Sequence, residues 1–298
     1  MRIAFIMLCH KNPEQINKLI DKLSEFSEAD IYIHVDMNHS EIRDQIKTQG
    51  NVKMVPADHS FHIEWGSVDI VKATLQLIRE VKDSGKQYDY IWLVSGQDYP
   101  ICPVTEIEKR LEEQMGINYI ECITSENKQY DRYKKLYEVA YPSWINGNDV
   151  AIKSIKRIYM ILTGGYRHTF SLFVRHKPFD FEFSFGSQWW TLTTSAAFEI
   201  LEYSDRHPEI LEYYEKSIIP DECFFQSVFM RGPYKDKKAM NLTFINWGKN
   251  RRSPEILTAE DYDIIREQGQ TYCFARKFDL LVSRELLNML KNEENNGE

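Results

Sequence analysis

The stretch MRIAFIMLCHKNPEQ, Met1–Gln15, decides the fold class. Its apolar run is far too short to cross a bilayer. A basic residue and a short apolar run are all it shares with a signal peptide, and it has no small-residue cleavage site. Instead the run passes straight into Asn12-Pro13-Glu14, with proline where a helix tolerates it best, at the first position. The reading is a buried strand followed by a helix to about Phe26. The same alternation continues outward. IYIHVD (31–36) and the weaker VKMVP (52–56) read as strands, and Ser67 caps a helix to about Val81. YIWLVS (90–95) is a strand, VTEIEKRLEEQ (104–114) a helix and INYIECI (117–123) a strand. Strands alternating with helices give an α/β fold, with a mostly parallel sheet flanked by helices on both faces. Ligands in such sheets sit at the C-terminal strand ends. That places attention on Cys9-His10, on Asp36, and on SGQDYP, Ser95–Pro100.

The 298 residues suffice for one large domain, and a net charge of −8 opposes binding to a nucleic-acid backbone. Five widely spaced cysteines with no Cys-x-x-Cys suit reduced thiols in a cytoplasmic protein, not a disulfide framework or a zinc site. The second half is irregular and aromatic, so one domain with an irregular insertion at 123–185 is the simplest description. The tail at 291–298 reads as disordered. Within 150–179, Lys153, Lys156, Arg157, Arg167, Arg175 and Lys177 occur without an acid, interleaved with apolar residues. This segment reads either as a contact for an anionic membrane surface or as an ordinary helix with a solvated basic face.

Neither a Gly-x-Gly-x-x-Gly nor a P-loop is present. His59-x-x-His62, beside Asp58 and Glu64, lacks a helical frame and is read as non-ligand. Asp261-Tyr262-Asp263 has the Asp-x-Asp form of a metal site. However, Thr258 three residues earlier makes Asp261 look like the acid of a capping box. Asp36 either caps its strand or accepts hydrogen bonds from a base or ribose. Trp65-Gly66-Ser67 offers an indole ahead of a helix, and GSQWW (186–190) joins polar and aromatic groups as carbohydrate sites do. FARKFD (274–279) sets Arg276-Lys277 between two phenylalanines, a plausible paired cation site for a diphosphate. Last, IIPDECFFQSVF (218–229) places Asp221 and Glu222 before an apolar helix. Asp221 suits an N-cap. Glu222 is either a surface acid favoured by the helix dipole or a carboxylate held in a cleft.

In this order, YIHVD, IEWGSVDIVKATLQLI, YDYIWLVSGQDYPI, GSQWWTLT, IIPDECFFQSVF, LTFINW and FARKFD are similar to one family. It is that of the core-2/I-branching β-1,6-N-acetylglucosaminyltransferases and peptide O-xylosyltransferases. The resemblance implies a GT-A-type, Rossmann-like glycosyltransferase domain over residues 1–290. A nucleotide-binding half spans 1–122 and a catalytic, diphosphate-binding half 186–290. It implies inverting, metal-independent transfer from a UDP-sugar, which is a substrate, with no cofactor. Glu222 falls at the general base and Arg276 and Lys277 at the diphosphate cations. Cys9, Asp36, Glu64 and Trp65 fall among donor-binding residues. Gln188 and Trp189 lie at the sugar region, and Asp98 is a candidate contact to acceptor or sugar. Pro-Asp-Glu resembles the N-acetylglucosaminyl branch and Ala-Arg-Lys the xylosyl branch, so N-acetylglucosamine is the expected donor sugar and xylose the alternative. The expected acceptor is a glycan, free or lipid-linked, in surface polysaccharide assembly. The expected place is the cytoplasm, with peripheral contact to the inner membrane face through 150–179. Two rival readings are a metal-dependent transferase using Asp36, Asp98 or Asp261, and a glycan-binding protein. A helix N-terminus is expected to keep Glu222 ionised while the aromatics raise its basicity.

Overall fold

The computed structural model describes residues 1–48, 50–140, 174–248 and 253–296, together with Ser154, Ile155 and Ile158. The opening unit is as expected: β1 spans Ile3–Cys9 and α1 Pro13–Leu23, with Asn12 in the left-handed region (φ 55°) turning one into the other. All of β1 except Leu8 is buried, as a strand covered on both faces must be. On α1, Ile16, Leu19, Ile20 and Leu23 form the buried face, and the helix ends at Leu23, short of the expected Phe26, with Ser24 as its C-cap. Then come β2 (Ala29–Val35), β3 (Val52–Met54), α2 (Asp69–Asp83), β4 (Tyr90–Ser95), β5 (Tyr99–Pro100) and α3 (Val104–Glu113).

Beyond α3 the order loosens. β6 is only Asn118–Tyr119, so most of the expected strand INYIECI leaves the ladder, keeping one bridge from Ile123 to Phe185. α4 (Tyr130–Glu138), β7 (Thr191–Thr193), α5 (Thr194–Arg206), α6 (Pro208–Tyr214) and α7 (Phe224–Arg231) follow. β8 (Lys238–Ala239), β9 (Thr243–Ile245), α8 (Tyr262–Gln268), β10 (Phe274–Arg276) and α9 (Leu280–Asn296) complete the chain. α9 carries helix through most of the stretch expected to be a disordered tail.

The main sheet runs β3-β2-β1-β4-β7-β6-β8. Its pairs are parallel except those of β7, which is antiparallel to both β4 and β6. The fold is thus a mixed α/β layer structure with a mostly parallel sheet. A second sheet, β5-β10-β9, stands beside it. Each body has its own apolar packing. One cluster gathers Leu93, Trp190, Phe224, Phe225 and Val228 under α2, α5 and α7. Another lies under α1 and α3. A third, with Ile101, Leu257, Ile265, Phe278 and Leu286, backs the small sheet. At roughly 1.5–3 kcal/mol for each large side chain removed from water, these clusters supply the driving force that the short strands alone lack.

Among the described residues no helix is long and apolar enough to cross a membrane. Most of the basic segment 150–179 lies outside them. Of its six cations, Arg175 packs 3.9 Å from the Tyr213 ring centroid and donates to the carbonyls of Tyr137 and Tyr213. Lys177 donates to the Phe181 carbonyl at 2.7 Å. These two serve the chain's own packing.

Candidate active site

Glu222 belongs to a single 3-10 turn, Pro220–Glu222, placed by the residue before it. Ile219 adopts a left-handed conformation (φ 53°), donates its N–H to the Gly66 carbonyl at 3.0 Å, and accepts the Tyr137 hydroxyl at 3.0 Å. That double anchor ties the turn to the loop before α2 and to α4. Cys223 then breaks the backbone before α7 begins. Asp221 is therefore not the expected N-cap: it makes no capping bond, because the turn that holds it ends before the helix starts. It is buried, and its Oδ1 has no hydrogen-bond partner among the described residues. Burial pushes its carboxyl up to about 6, against the pull of its own backbone and of Arg276.

Burial, reinforced by the neighbouring charges of Asp221 and Glu121, pushes the Glu222 carboxyl up to about 8. This rise runs against the expectation that a helix end holds it ionised: Glu222 closes a separate 3-10 turn ahead of Cys223 and α7, beside two other acids. Glu121 is a residue that sequence reasoning missed. It accepts the Ser187 N–H at Oε2, 2.8 Å, while the Gly186 N–H donates to the Glu222 carbonyl at 3.0 Å. Gln226 Nε2 completes the clamp on the Ser187 carbonyl at 2.7 Å. Position 186 admits only glycine, since a Cβ there would lie 2.1 Å from the Glu121 carbonyl oxygen. The GSQWW loop is thus fastened to the acidic turn, with Gln188 half-buried and Trp189 buried in it.

Trp189 meets the cations. The Arg276 guanidinium carbon lies 3.9 Å from the indole centroid, and Nε is 3.6 Å from Asp98 Oδ1. Asp98 is itself buried and held by the Ser95 N–H (2.8 Å) and hydroxyl (3.0 Å), so it faces Arg276 and not solvent. Burial raises the Asp98 carboxyl, opposed chiefly by Arg276. Arg276 in turn is lowered by burial and sustained by Asp98 and Asp221. Its Nε and Nη1 have no hydrogen-bond acceptor among the described residues. Lys277 is lowered by burial and by Arg276 and Lys11. Its amine makes no hydrogen bond or ion pair among the described residues. Cations with unused donors of this kind suit an anion supplied from outside.

The remaining candidates line the ends of β1 and β2. Cys9 is buried, and burial raises its thiol. Asp36 accepts the N–H groups of Asn38 (2.9 Å) and Ile63 (3.0 Å), which bears out its capping reading and organises the next loop. His10 and His39 face each other there at 6.0 Å, and burial with the charges of Lys11, His39 and Lys277 holds His10 down to about 4. Glu64 and Trp65 are exposed, Trp65 at 67 %, on the loop whose Gly66 anchors Ile219. Asp261 closes a capping box with Thr258. The carboxylates named for a metal are each engaged by backbone, hydroxyl or arginine. Among the described residues no group of three or more His, Cys, Asp or Glu is placed to share an ion.

The model of the Core-2/I-Branching enzyme family matches residues 3–266. The chain belongs to that family. Relatives of this core-2/I-branching domain include Xylosyltransferase 1 of Canis lupus familiaris, 22% identical over 97% of this chain and 30% of that protein. Xylosyltransferase 2 of the same organism is also 22% identical, over 97% of this chain and 33% of its own length. The chain therefore spans about a third of the curated relatives it matches. Among solved structures it shows slight likeness to Core-mannan synthase A of Aspergillus fumigatus in its Mn/GDP form (13% identity, TM-score 0.38, 80% of this chain and 72% of that one). The 4-diphosphocytidyl-2C-methyl-D-erythritol synthase of Anaerococcus prevotii is comparable (11% identity, TM-score 0.40, 90% and 96%).

Proposed function

We propose that this core-2/I-branching chain is an inverting glycosyltransferase that moves a sugar from a UDP-sugar to a glycan hydroxyl without a metal ion. The observation that carries the reading is the junction at Trp189. There Arg276, which precedes Lys277, packs over the ring and exerts its charge on the buried Asp221, the neighbour of half-buried Glu222. In the reaction Glu222 takes the proton of the acceptor hydroxyl as its oxygen attacks the anomeric carbon. The bond from that carbon to the diphosphate breaks on the opposite face, and configuration inverts. Negative charge grows on the departing UDP, where Lys277 and Arg276 stabilise it. Family membership supports the reaction class. The engagement of Asp36, Asp98 and Asp261 by the chain's own groups supports a metal-free course.

For the donor, Pro220-Asp221-Glu222 favours UDP-N-acetylglucosamine. A second reading, UDP-xylose, is favoured by Ala275-Arg276-Lys277 and by xylosyltransferases standing among the relatives. The acceptor is a glycan of surface-polysaccharide assembly, free or lipid-linked. UDP release from a panel of UDP-sugars in EDTA, with candidate glycan acceptors, tests all of this. One sugar turned over at the metal-replete rate, and lost in Glu222→Gln, is the expected result. A requirement for metal, or turnover that survives the substitution, would refute it.

A further inference from the structure

Arg276 ends a three-residue strand and Lys277 follows it, and what aims them is not the strand alone. The segment that follows is held by a residue 263 positions away in sequence, Gln15 on α1. Its side chain is 2 % exposed and fully engaged. Nε2 donates to the Gly96 carbonyl at 2.8 Å and to the Phe278 carbonyl at 3.1 Å, while Oε1 accepts the Leu280 N–H at 2.7 Å. Gly96 lies in the turn that presents Asp98, and Phe278 and Leu280 flank the exit from Lys277. One amide thus ties three pieces of backbone around the paired cations.

Other contacts close the same knot. The Phe278 N–H donates to the Gln97 carbonyl at 2.8 Å, and the Leu257 N–H to the Lys277 carbonyl at 2.9 Å. Lys11, from the turn before α1, pairs with Asp279 at 3.0 Å. Asp279 and Ser283 also bond at the start of α9, the Asp279 N–H donating to the Ser283 hydroxyl at 3.0 Å. The Phe278–Gln97 backbone bond joins the Asp98 turn to the Lys277 exit directly, and of the side chains in this knot Gln15 is the one that bonds to both pieces. A buried amide with both ends satisfied is costly to disturb, since its loss leaves two carbonyls and an N–H unpaired.

We infer that Gln15 is a positioning residue for diphosphate binding, holding the Arg276-Lys277 arm against the Asp98 turn. This rests on the donor reading above. The inference separates diphosphate binding from nucleoside binding. The amide makes no bond to Asp36 or His39, which lie at and just beyond the end of β2.

Gln15→Met keeps the side-chain volume and removes all three bonds. Titration calorimetry with UDP and with uridine, on wild type, Gln15→Met, Lys277→Met and the double variant, reads the effect. Expected are an approximately ten-fold loss of UDP affinity in Gln15→Met, unchanged uridine affinity, and a double variant no weaker for UDP than Lys277→Met alone. If Gln15→Met is poorly folded, Gln15→Asn, which keeps the amide but is one methylene shorter, takes its place with the same pattern expected. Equal losses for UDP and uridine, or losses that add in full in the double variant, would overturn the positioning role. A wild type that binds neither ligand would overturn the donor reading itself, and with it this inference.

Discussion

Arg276 lies flat against Trp189, guanidinium carbon to ring centroid 3.9 Å, with Asp98 3.6 Å from Nε on its edge. The arrangement holds a buried cation in place before any anion arrives. In a desolvated setting a cation–π contact contributes about 2 kcal/mol. Trp189→Leu is therefore expected to weaken UDP binding roughly ten- to thirty-fold. Calorimetry at fixed salt checks it, and an unchanged Kd would mean that Arg276 is aimed by other contacts.

In the proposed role Glu222 would act as a base only when ionised, so kcat/KM should rise with pH, with its midpoint near the carboxyl's raised value of about 8. Asp221 contributes to that elevation by like-charge repulsion. Asp221→Asn should move the midpoint towards acid. A pair of pH–rate profiles decides this, and coincident midpoints would dismiss the electrostatic link.

The same carboxyl has a consequence for stability. Its folded-state value of about 8 exceeds the ordinary 4.5, so the folded chain holds the proton more tightly than the unfolded one. The stability contributed is complete below about pH 4.5 and is lost as pH rises through 8. Glu222→Gln should then raise Tm more at pH 9 than at pH 6, by a few degrees if about 1–2 kcal/mol is recovered. Activity should fall about a hundred- to ten-thousand-fold in the same variant. Thermal melts at the two pH values, beside the rate, test the opposition of stability and function.

At position 186 a methyl group has nowhere to go. With its Cβ 2.1 Å from the Glu121 carbonyl oxygen, Gly186→Ala must displace backbone and stretch the Gly186–Glu222 hydrogen bond. We expect about 1–3 kcal/mol of destabilisation and a loss of turnover out of proportion to the fall in Tm. Denaturant titration with steady-state rates would reveal a change confined to stability, which would detach Glu121 from the placement of the base.

The parallel strands were legible because burial on both faces makes Ile3–Cys9 and Tyr90–Ser95 continuous apolar runs. Arg276-Lys277 was legible for a related reason, as cations between two phenylalanines that are both fully buried. The Asp261 capping box was readable from local spacing alone. What local spacing cannot express is a contact between distant residues. Glu121 meets Ser187 across 66 positions and Gln15 meets Phe278 across 263, and nothing nearby in sequence marks either residue. Pro-Asp-Glu misled in another way. The same tripeptide serves a helix cap and an acidic turn, and the choice between them lies in Ile219's bond to Gly66.

The proposed base and the proposed cations border different apolar clusters. Glu222 stands at the edge of the cluster built on Phe224, Phe225 and Trp190, whereas Arg276 and Lys277 rest on the one built on Phe278, Leu257 and Leu286. Trp189 belongs to the first cluster, and Arg276 reaches across to pack over it. On the proposed reading a substitution at Trp189 therefore bears on donor and acceptor handling together, so the two cannot diverge independently across that indole.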